Sequence, residues 1–242
     1  MTKIVIIPTF NEKENIESMV RKVFSLEGDF HLLIVDDGSP DGTANIVKDL
    51  QKIFPEKLHL LERSGKLGLG TAYITGFKWC MENNYEFIFE MDCDFSHNPE
   101  NLIDLYEAVS SGNYDLSIGS RYVKGGSVKN WPLNRILLSY FASVYVRFIT
   151  WMPVADTTAG FVCYHRRIFD KMDLDKIQFK GYAFQIEMKF ATWKLGFKIK
   201  ECPITFTDRV YGESKMSGGI FKEAVFGVIK MAFQGFTRSY AK

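Results

Sequence analysis

The 242-residue chain has only four cysteines, Cys80, Cys93, Cys163 and Cys202, and no C-x-x-C pair among them. This excludes a disulfide scaffold and removes the usual signature of a zinc or dithiol redox site, so the four read as reduced thiols. A charge excess is also missing: 30 Lys+Arg stand against 29 Asp+Glu, a formal net charge of +1. Nucleic acid is therefore not an expected partner, since binding a polyphosphate calls for a basic surplus. The opening Met-Thr-Lys-Ile-Val-Ile-Ile-Pro runs into a strand-like segment without the parts of a leader, and a cytoplasmic protein is expected. No apolar run reaches the ~20 uninterrupted residues of a membrane span. The longest candidate, 136–155, is broken by Arg147. Repeats and low-complexity linkers are lacking too. What is present is 46% hydrophobic and 24% charged residues, enough for a sizeable core in one domain, with an unusual 21 Phe.

Five short apolar runs, at 4–7, 32–35, 58–61, 87–91 and 116–118, suit strands covered on both faces. Between them, 15–24 carries Ile16, Met19, Val20 and Val23 at helical spacing, and 43–54 carries Ile46, Val47, Leu50 and Ile53 likewise. This β-α-β alternation predicts an α/β fold with an open, mostly parallel sheet and helices on both faces, where ligands bind beyond the carboxyl ends of the strands. After Arg121 the rhythm changes. A Gly-Gly pair, a Trp-Pro and the 136–155 stretch precede a strand-helix-strand portion at 158–206, a polar loop at 208–219 and a closing helical segment at 220–236.

The strand ends hold the candidate chemistry. After the first, Asn11 with Glu14 has the form of a helix start, and a helix N-terminus there also suits an anion. After the second, Asp36 and Asp37 repel one another unless a cation or a hydroxyl donor satisfies them, which points to a ligand; Asp41 fits a helix cap. After the third, Gly65, Gly68 and Gly70 are in the wrong order for a dinucleotide fingerprint, so anion binding and close helix packing both remain open. After the fourth comes Asp92-Cys93-Asp94, followed by Asn98-Pro99 as a helix start. In extended chain, residues two apart point the same way, so Asp92 and Asp94 can share a hard cation such as Mg²⁺ or Mn²⁺. After the fifth, Arg121 can pair with one of those carboxylates or bind a phosphate. The four His, at 31, 59, 97 and 165, show no triad-like arrangement.

Taken in order, these blocks resemble the family 2 inverting glycosyltransferases of GT-A fold, in the branch acting on dolichol or polyprenol phosphate, in a short form without transmembrane helices. Further matching blocks are Gly119–Tyr122, Thr158–Phe161, Gly181–Glu187 and Arg209–Met216, so the resemblance spans nearly the whole chain. It implies mannose transfer from GDP-mannose to a polyprenyl or dolichyl phosphate with Mg²⁺ or Mn²⁺. Pro8, Phe10, Glu12, Val35 and Asp37 would hold the guanosine portion. Asp92, Cys93 and Asp94 would hold metal and diphosphate, with Ser96 at a further ligand position. Arg121, Arg209 and Lys215 would contact phosphates, and with Asp94 they are the expected catalytic set. Phe10 stands where Tyr is usual and Cys93 where Ala is usual; the first keeps a stacking face, and the second places a soft thiol between hard ligands. The resemblance also divides the single domain into a nucleotide-sugar half, 1–122, and an acceptor half, 123–242. Because the acceptor is a lipid, 136–155 and the terminal segment with Phe221, Phe226, Phe233 and Phe236 are either core helices or surfaces lying in the inner membrane interface. Rivals are a family 2 transferase using another nucleotide sugar such as UDP-glucose or another acceptor, a nucleotide or metal sensor, and an NAD-dependent oxidoreductase; the last fails on glycine order.

Overall fold

The first two apolar runs are hydrophobic at every position because both faces of their strands are covered. In β1 (Lys3–Thr9) Ile4 and Ile6 join Leu33 and Val35 of β2 (Phe30–Asp36) in one core, while Val5 and Ile7 join Leu32 and Ile34 in a second. This is the two-residue alternation of a pleated strand. The computed structural model describes residues 2–181, 183–208, 227–233 and 239–242. Arg209, Lys215, Tyr182, the 208–219 loop beyond Asp208 and most of the closing segment lie outside the described residues; within that segment, 227–233 is helical.

The remaining strands are β3 (Leu58–Glu62), β4 (Phe87–Glu90), β5 (Leu116–Ser120), β6 (Ser127–Lys129), β7 (Val162–His165), β8 (Ile199–Pro203) and β9 (Thr205–Thr207). Seven of them form one sheet in the order β3-β2-β1-β4-β7-β5-β8, and a small parallel sheet pairs β6 with β9. Helices α3 (Leu69–Glu82), the short α6 (Arg167–Lys171) and α7 (Ala183–Lys194) cover the first core; α1 (Ile16–Phe24), α2 (Thr43–Gln51) and α4 (Asn101–Ser110) cover the second. The open, mostly parallel sheet with helices on both faces is the one expected from the sequence. β1 lies between β2 and β4, so the strand order reverses there and opens a crevice at their carboxyl ends.

β7 alone runs antiparallel, against both β4 and β5. Its reversal delivers the segment just before it, 155–161, to the same edge as the carboxyl ends of the parallel strands. Helix α1 begins at Ile16, not at Asn11. Asn11 is left-handed (φ 57°), and the amides after it turn away to bond the neighbouring loop, which postpones the helix by a turn.

Helix α5 (Leu133–Thr150) corrects the core-helix alternative for 136–155. Only Ser143, Val146 and Thr150 are buried on it, whereas Leu133, Leu137, Tyr140, Phe141, Val144 and Phe148 form an exposed apolar ridge that Trp151 extends. Phe148 is 77% and Trp151 82% exposed. Among the described residues, no helix is long and apolar enough to cross a membrane.

Candidate active site

Three side chains bolt the loop after β1 to the loop after β2. The Asn11 amide donates to Ser39 Oγ (3.0 Å), the Glu12 amide to Thr43 Oγ1 (3.1 Å) and the Lys13 amide to Asp41 Oδ2 (3.0 Å). Asp41 also takes the Thr43 amide at 3.0 Å, the capping role expected of it. Asp36 needs no ligand, contrary to the repulsion argument: Thr9 Oγ1 (2.8 Å), the Ser39 amide (2.8 Å) and Ser39 Oγ (2.6 Å) all donate to it.

Asp37 remains poised. Arg63, the first residue past β3, brings Nη1 to 3.0 Å from Asp37 Oδ1, but neither atom is aligned for a hydrogen bond, so a buried donor and a buried acceptor sit side by side. Burial pushes the Asp37 carboxyl up, and the adjacent Arg63 opposes the rise. Arg63 is anchored by its Nη2 on Thr71 Oγ1 (2.6 Å). Beside them, Lys66 Nζ lies 5.1 Å over the Phe10 ring, while Pro8 and Val35 close the strand ends beneath. Of the glycines here, Gly70 serves packing: a Cβ on it would stand 2.7 Å from the Phe184 ring and 2.9 Å from the Phe179 carbonyl.

β4 ends at Glu90, so Asp92 and Asp94 are carried by a bend and not by extended chain. Phe95 is left-handed (φ 59°), and Asp94 Oδ1 accepts the Ser96 amide at 3.0 Å, which turns the segment back on itself. Asp94 is buried and the Asp92 side chain is 42% exposed. Ser96 Oγ is buried without a hydrogen-bond partner. Among the described residues, no three His, Cys, Asp or Glu form a metal cluster. Two carboxylates and an unpartnered hydroxyl just past the end of β4, with Asp92 partly exposed, nonetheless fit a hard divalent ion that completes its shell with phosphate oxygens. Cys93 packs into the second core, which takes its soft sulfur out of that oxygen set. His97, stacked on Phe161 at 4.9 Å, is held down to about pKa 4 by burial.

Arg121 pairs with the fully buried Asp156. Nε and Nη2 donate to the two Asp156 oxygens at 2.7 and 2.6 Å, the Arg121 amide adds a third bond at 2.9 Å, and Nη2 also reaches Thr158 Oγ1 at 2.9 Å. The Glu201 carboxylate in turn takes the amides of Ala155 and Asp156. Arg121 lies 5.5 Å from the Trp131 ring, over which Arg135 stacks at 3.9 Å. Trp131 Nε1 and Ser139 Oγ, both buried, have no hydrogen-bond partner. Two guanidinium groups, Arg121 held by Asp156 and Arg135 by Asp208 at 3.1 Å, thus flank Trp131 with its unpartnered donor, and Ser139 offers a second one turn beyond Arg135 on α5, a set of groups suited to an oxyanion. Arg63, Trp131, Arg135, Ser139 and Asp156 were not singled out from sequence.

The chain matches the description "Glycosyl transferase family 2" over residues 4–175. It is 45% identical over 232 residues to a polyprenol monophosphomannose synthase of Mycolicibacterium smegmatis, covering 96% of this chain and 87% of that protein. It is 44% identical over 230 residues to an undecaprenyl-phosphate mannosyltransferase of Micrococcus luteus, covering 95% and 93%. Among solved structures, glucosyl-3-phosphoglycerate synthase from Mycobacterium tuberculosis superposes with TM-score 0.66 at 17% identity, over 97% of this chain and 79% of that one. A mannosyltransferase from Pyrobaculum calidifontis, in complex with GDP-Man and Mn²⁺, gives 0.57 at 14%, over 97% and 73%. The sheet, the D-x-D bend and the near full-length identity agree: this chain is an enzyme of the family 2 glycosyltransferases, with the GT-A fold.

Proposed function

We propose that the protein transfers mannose from GDP-mannose to the phosphate of a polyprenol or dolichol lipid, with Mg²⁺ or Mn²⁺ and with inversion at the anomeric carbon. The observation that carries this reading is the 44–45% identity, over 95–96% of the chain, to two enzymes named for polyprenyl-phosphate mannose transfer.

In the nucleotide-sugar half, 1–122, Phe10 offers a stacking face and Glu12 stands beside it. The adjacent Asp37 acceptor and Arg63 donor match the N1–H and O6 of guanine, an edge that adenine and cytosine present with donor and acceptor exchanged. Asp92, Asp94 and Ser96 would hold the divalent ion, with Cys93 in the bend between them. When bound, such an ion stabilises the departing diphosphate as a Lewis acid. In the acceptor half, 123–242, Arg135, Trp131 Nε1 and Ser139 Oγ would receive the lipid phosphate, together with Arg121 from the end of the first half. Its second pKa is about 6, so it attacks as an oxyanion and no general base is needed. Arg121 offsets the charge of two approaching phosphates from a pre-set position, and Arg209 and Lys215 are assigned the same task. The ridge of α5 would rest on the inner face of the membrane, making the enzyme a peripheral membrane protein.

The test is transfer of radiolabelled mannose from GDP-mannose to a polyprenyl phosphate in detergent with Mg²⁺ or Mn²⁺, with UDP-glucose run in parallel. A chloroform-soluble mannolipid that disappears with Asp94→Ala is the expected result. Label moving only from UDP-glucose would overturn the mannose assignment.

A further inference from the structure

Helix α7 is buried through ten consecutive residues, and four of these, Gln185, Glu187, Lys189 and Thr192, are polar. Glu187 acts locally, taking the amides of Gln178 and Phe179 at 2.8 and 2.9 Å. Lys189 reaches across the domain. Its fully buried ammonium donates to the Ala159 carbonyl (2.6 Å), the Gln185 carbonyl (3.0 Å) and Gln185 Oε1 (3.3 Å), the whole donor capacity of the group. The acidic group that acts on it most strongly, without direct contact, is Glu90, also fully buried, at the end of β4 and two residues before Asp92. Burial pulls the lysine down and pushes the carboxyl up, each opposed by the other. Buried charged groups are expensive to desolvate and are commonly replaceable by apolar side chains without loss of stability. Stability alone therefore gives little reason for a charge here, and its reach toward Ala159 gives a specific one.

The turn at 155–159 is held at both ends. Glu201 takes the amides of Ala155 and Asp156 at its start, and Lys189 takes the Ala159 carbonyl at its finish. Between those anchors, Asp156 and Thr158 grip the Arg121 guanidinium by four bonds counting its own amide. We propose that Lys189 is a positioning residue of the transfer site: its ammonium fixes the Ala159 carbonyl and so sets where the 155–159 turn presents Arg121 to the phosphates. This rests on the transferase reading above, in which Arg121 offsets phosphate charge.

The test compares wild type, Lys189→Met and the double variant Glu90→Leu/Lys189→Met. The single variant leaves the buried Glu90 carboxyl, already pushed up to about 8, without the cation that opposes its rise, and should melt earlier. The double variant removes both charges and should regain most of the melting temperature, yet no side chain then holds Ala159. Its kcat for mannolipid formation should stay at least tenfold below wild type, while the KM for GDP-mannose and calorimetric GDP affinity with Mn²⁺ change less than about twofold. Amide hydrogen exchange across 155–159 and at Arg121 should rise in the double variant. A double variant with kcat within twofold of wild type, or with unchanged exchange in those segments, overturns the proposal. So does a loss of GDP affinity matching the loss of kcat, which would place the effect on the donor side. An inactive wild type would instead refute the transferase reading, and the exchange data would still decide for or against Lys189.

Discussion

Trp151 joins two costs at one position, and Trp151→Gly separates them. The residue ends α5 with a left-handed backbone (φ 60°, ψ 14°), a place where helices favour glycine, and its indole is 82% exposed. A non-glycine residue in that conformation is disfavoured by roughly 1–2 kcal/mol, whereas glycine gives back up to about 1 kcal/mol through the entropy of the unfolded chain. The net change in folding stability should lie between zero and about +1 kcal/mol, although a large apolar side chain has been deleted. On the proposed reading, the same indole presents apolar surface to a bilayer. An aromatic side chain covers about 150–250 Å², so at this exposure and about 25 cal/mol per Å² its transfer is worth at most about 3–5 kcal/mol. Even a third of the lower figure weakens binding more than fivefold. The assay pairs urea unfolding with co-sedimentation on anionic phospholipid vesicles. Stability equal to or above wild type with at least fivefold weaker vesicle binding is expected. Unchanged vesicle binding, or a stability loss above 1 kcal/mol, would refute the argument that the ridge is an interface kept at the expense of backbone strain.

Gly70→Ala should destabilise by about 1–3 kcal/mol in urea unfolding, because the methyl meets the Phe184 ring at 2.7 Å and a backbone carbonyl at 2.9 Å, outweighing the ~1 kcal/mol by which a helix prefers alanine. His97 should make the protein acid-sensitive before its carboxylates do. Its pKa falls from the ordinary 6.5 to about 4 on folding because burial disfavours the charged ring, so the unfolded chain takes up the proton first, and stability present above pH 6.5 is lost as pH falls toward 4. Between pH 7 and pH 5 this amounts to about 2 kcal/mol. His97→Phe, which keeps a ring against Phe161, should flatten that slope; an equally steep loss in the variant would assign it elsewhere. Asp156→Ala should cost about 3–5 kcal/mol by stranding the buried Arg121 charge, and a denaturation midpoint near wild type would contradict the clamp.

The donor side was legible because its signals are local. Turn-forming Asp, Gly, Ser and Pro stand within a few residues of the strands that position them, and an apolar run covered on both faces announces a parallel sheet. Local signals also misled at two points. Asn11 and Glu14 have the spacing of a capping box, but the amides they were to serve go to Ser39, Thr43 and Asp41, about 30 residues away. Asp36 and Asp37 do repel, and the chain itself supplies the hydroxyls and the guanidinium that relieve them. Arg63 was within reach of the same reasoning, since it follows a strand end as Asp37 and Arg121 do. The direction of β7 was not, because a four-residue apolar run has the same composition in either direction.

The acceptor side was opaque for a different physical reason: its residues acquire meaning only through partners far along the chain. Asp156 matters through Arg121, Lys189 through Ala159, and Arg135 through Trp131 and Asp208. Periodicity reads α5 as one helix, but cannot say which of its faces is covered. The structure puts the exposed ridge on one side of α5, and Arg135 and the unpartnered Ser139 within its first seven residues. A substrate made of a phosphate on a long apolar tail needs such a pairing, an anion seat within a turn or two of an apolar surface. On the proposed reading one helix supplies both, so charge reversal at Arg135 should abolish transfer without releasing the protein from vesicles, and Phe148→Ser should do the opposite to vesicle binding while sparing a short, water-soluble prenyl phosphate as acceptor. If both variants failed in the same assay by the same factor, the seat and the ridge would not be separate functions of α5, and the division of labour argued here would be wrong.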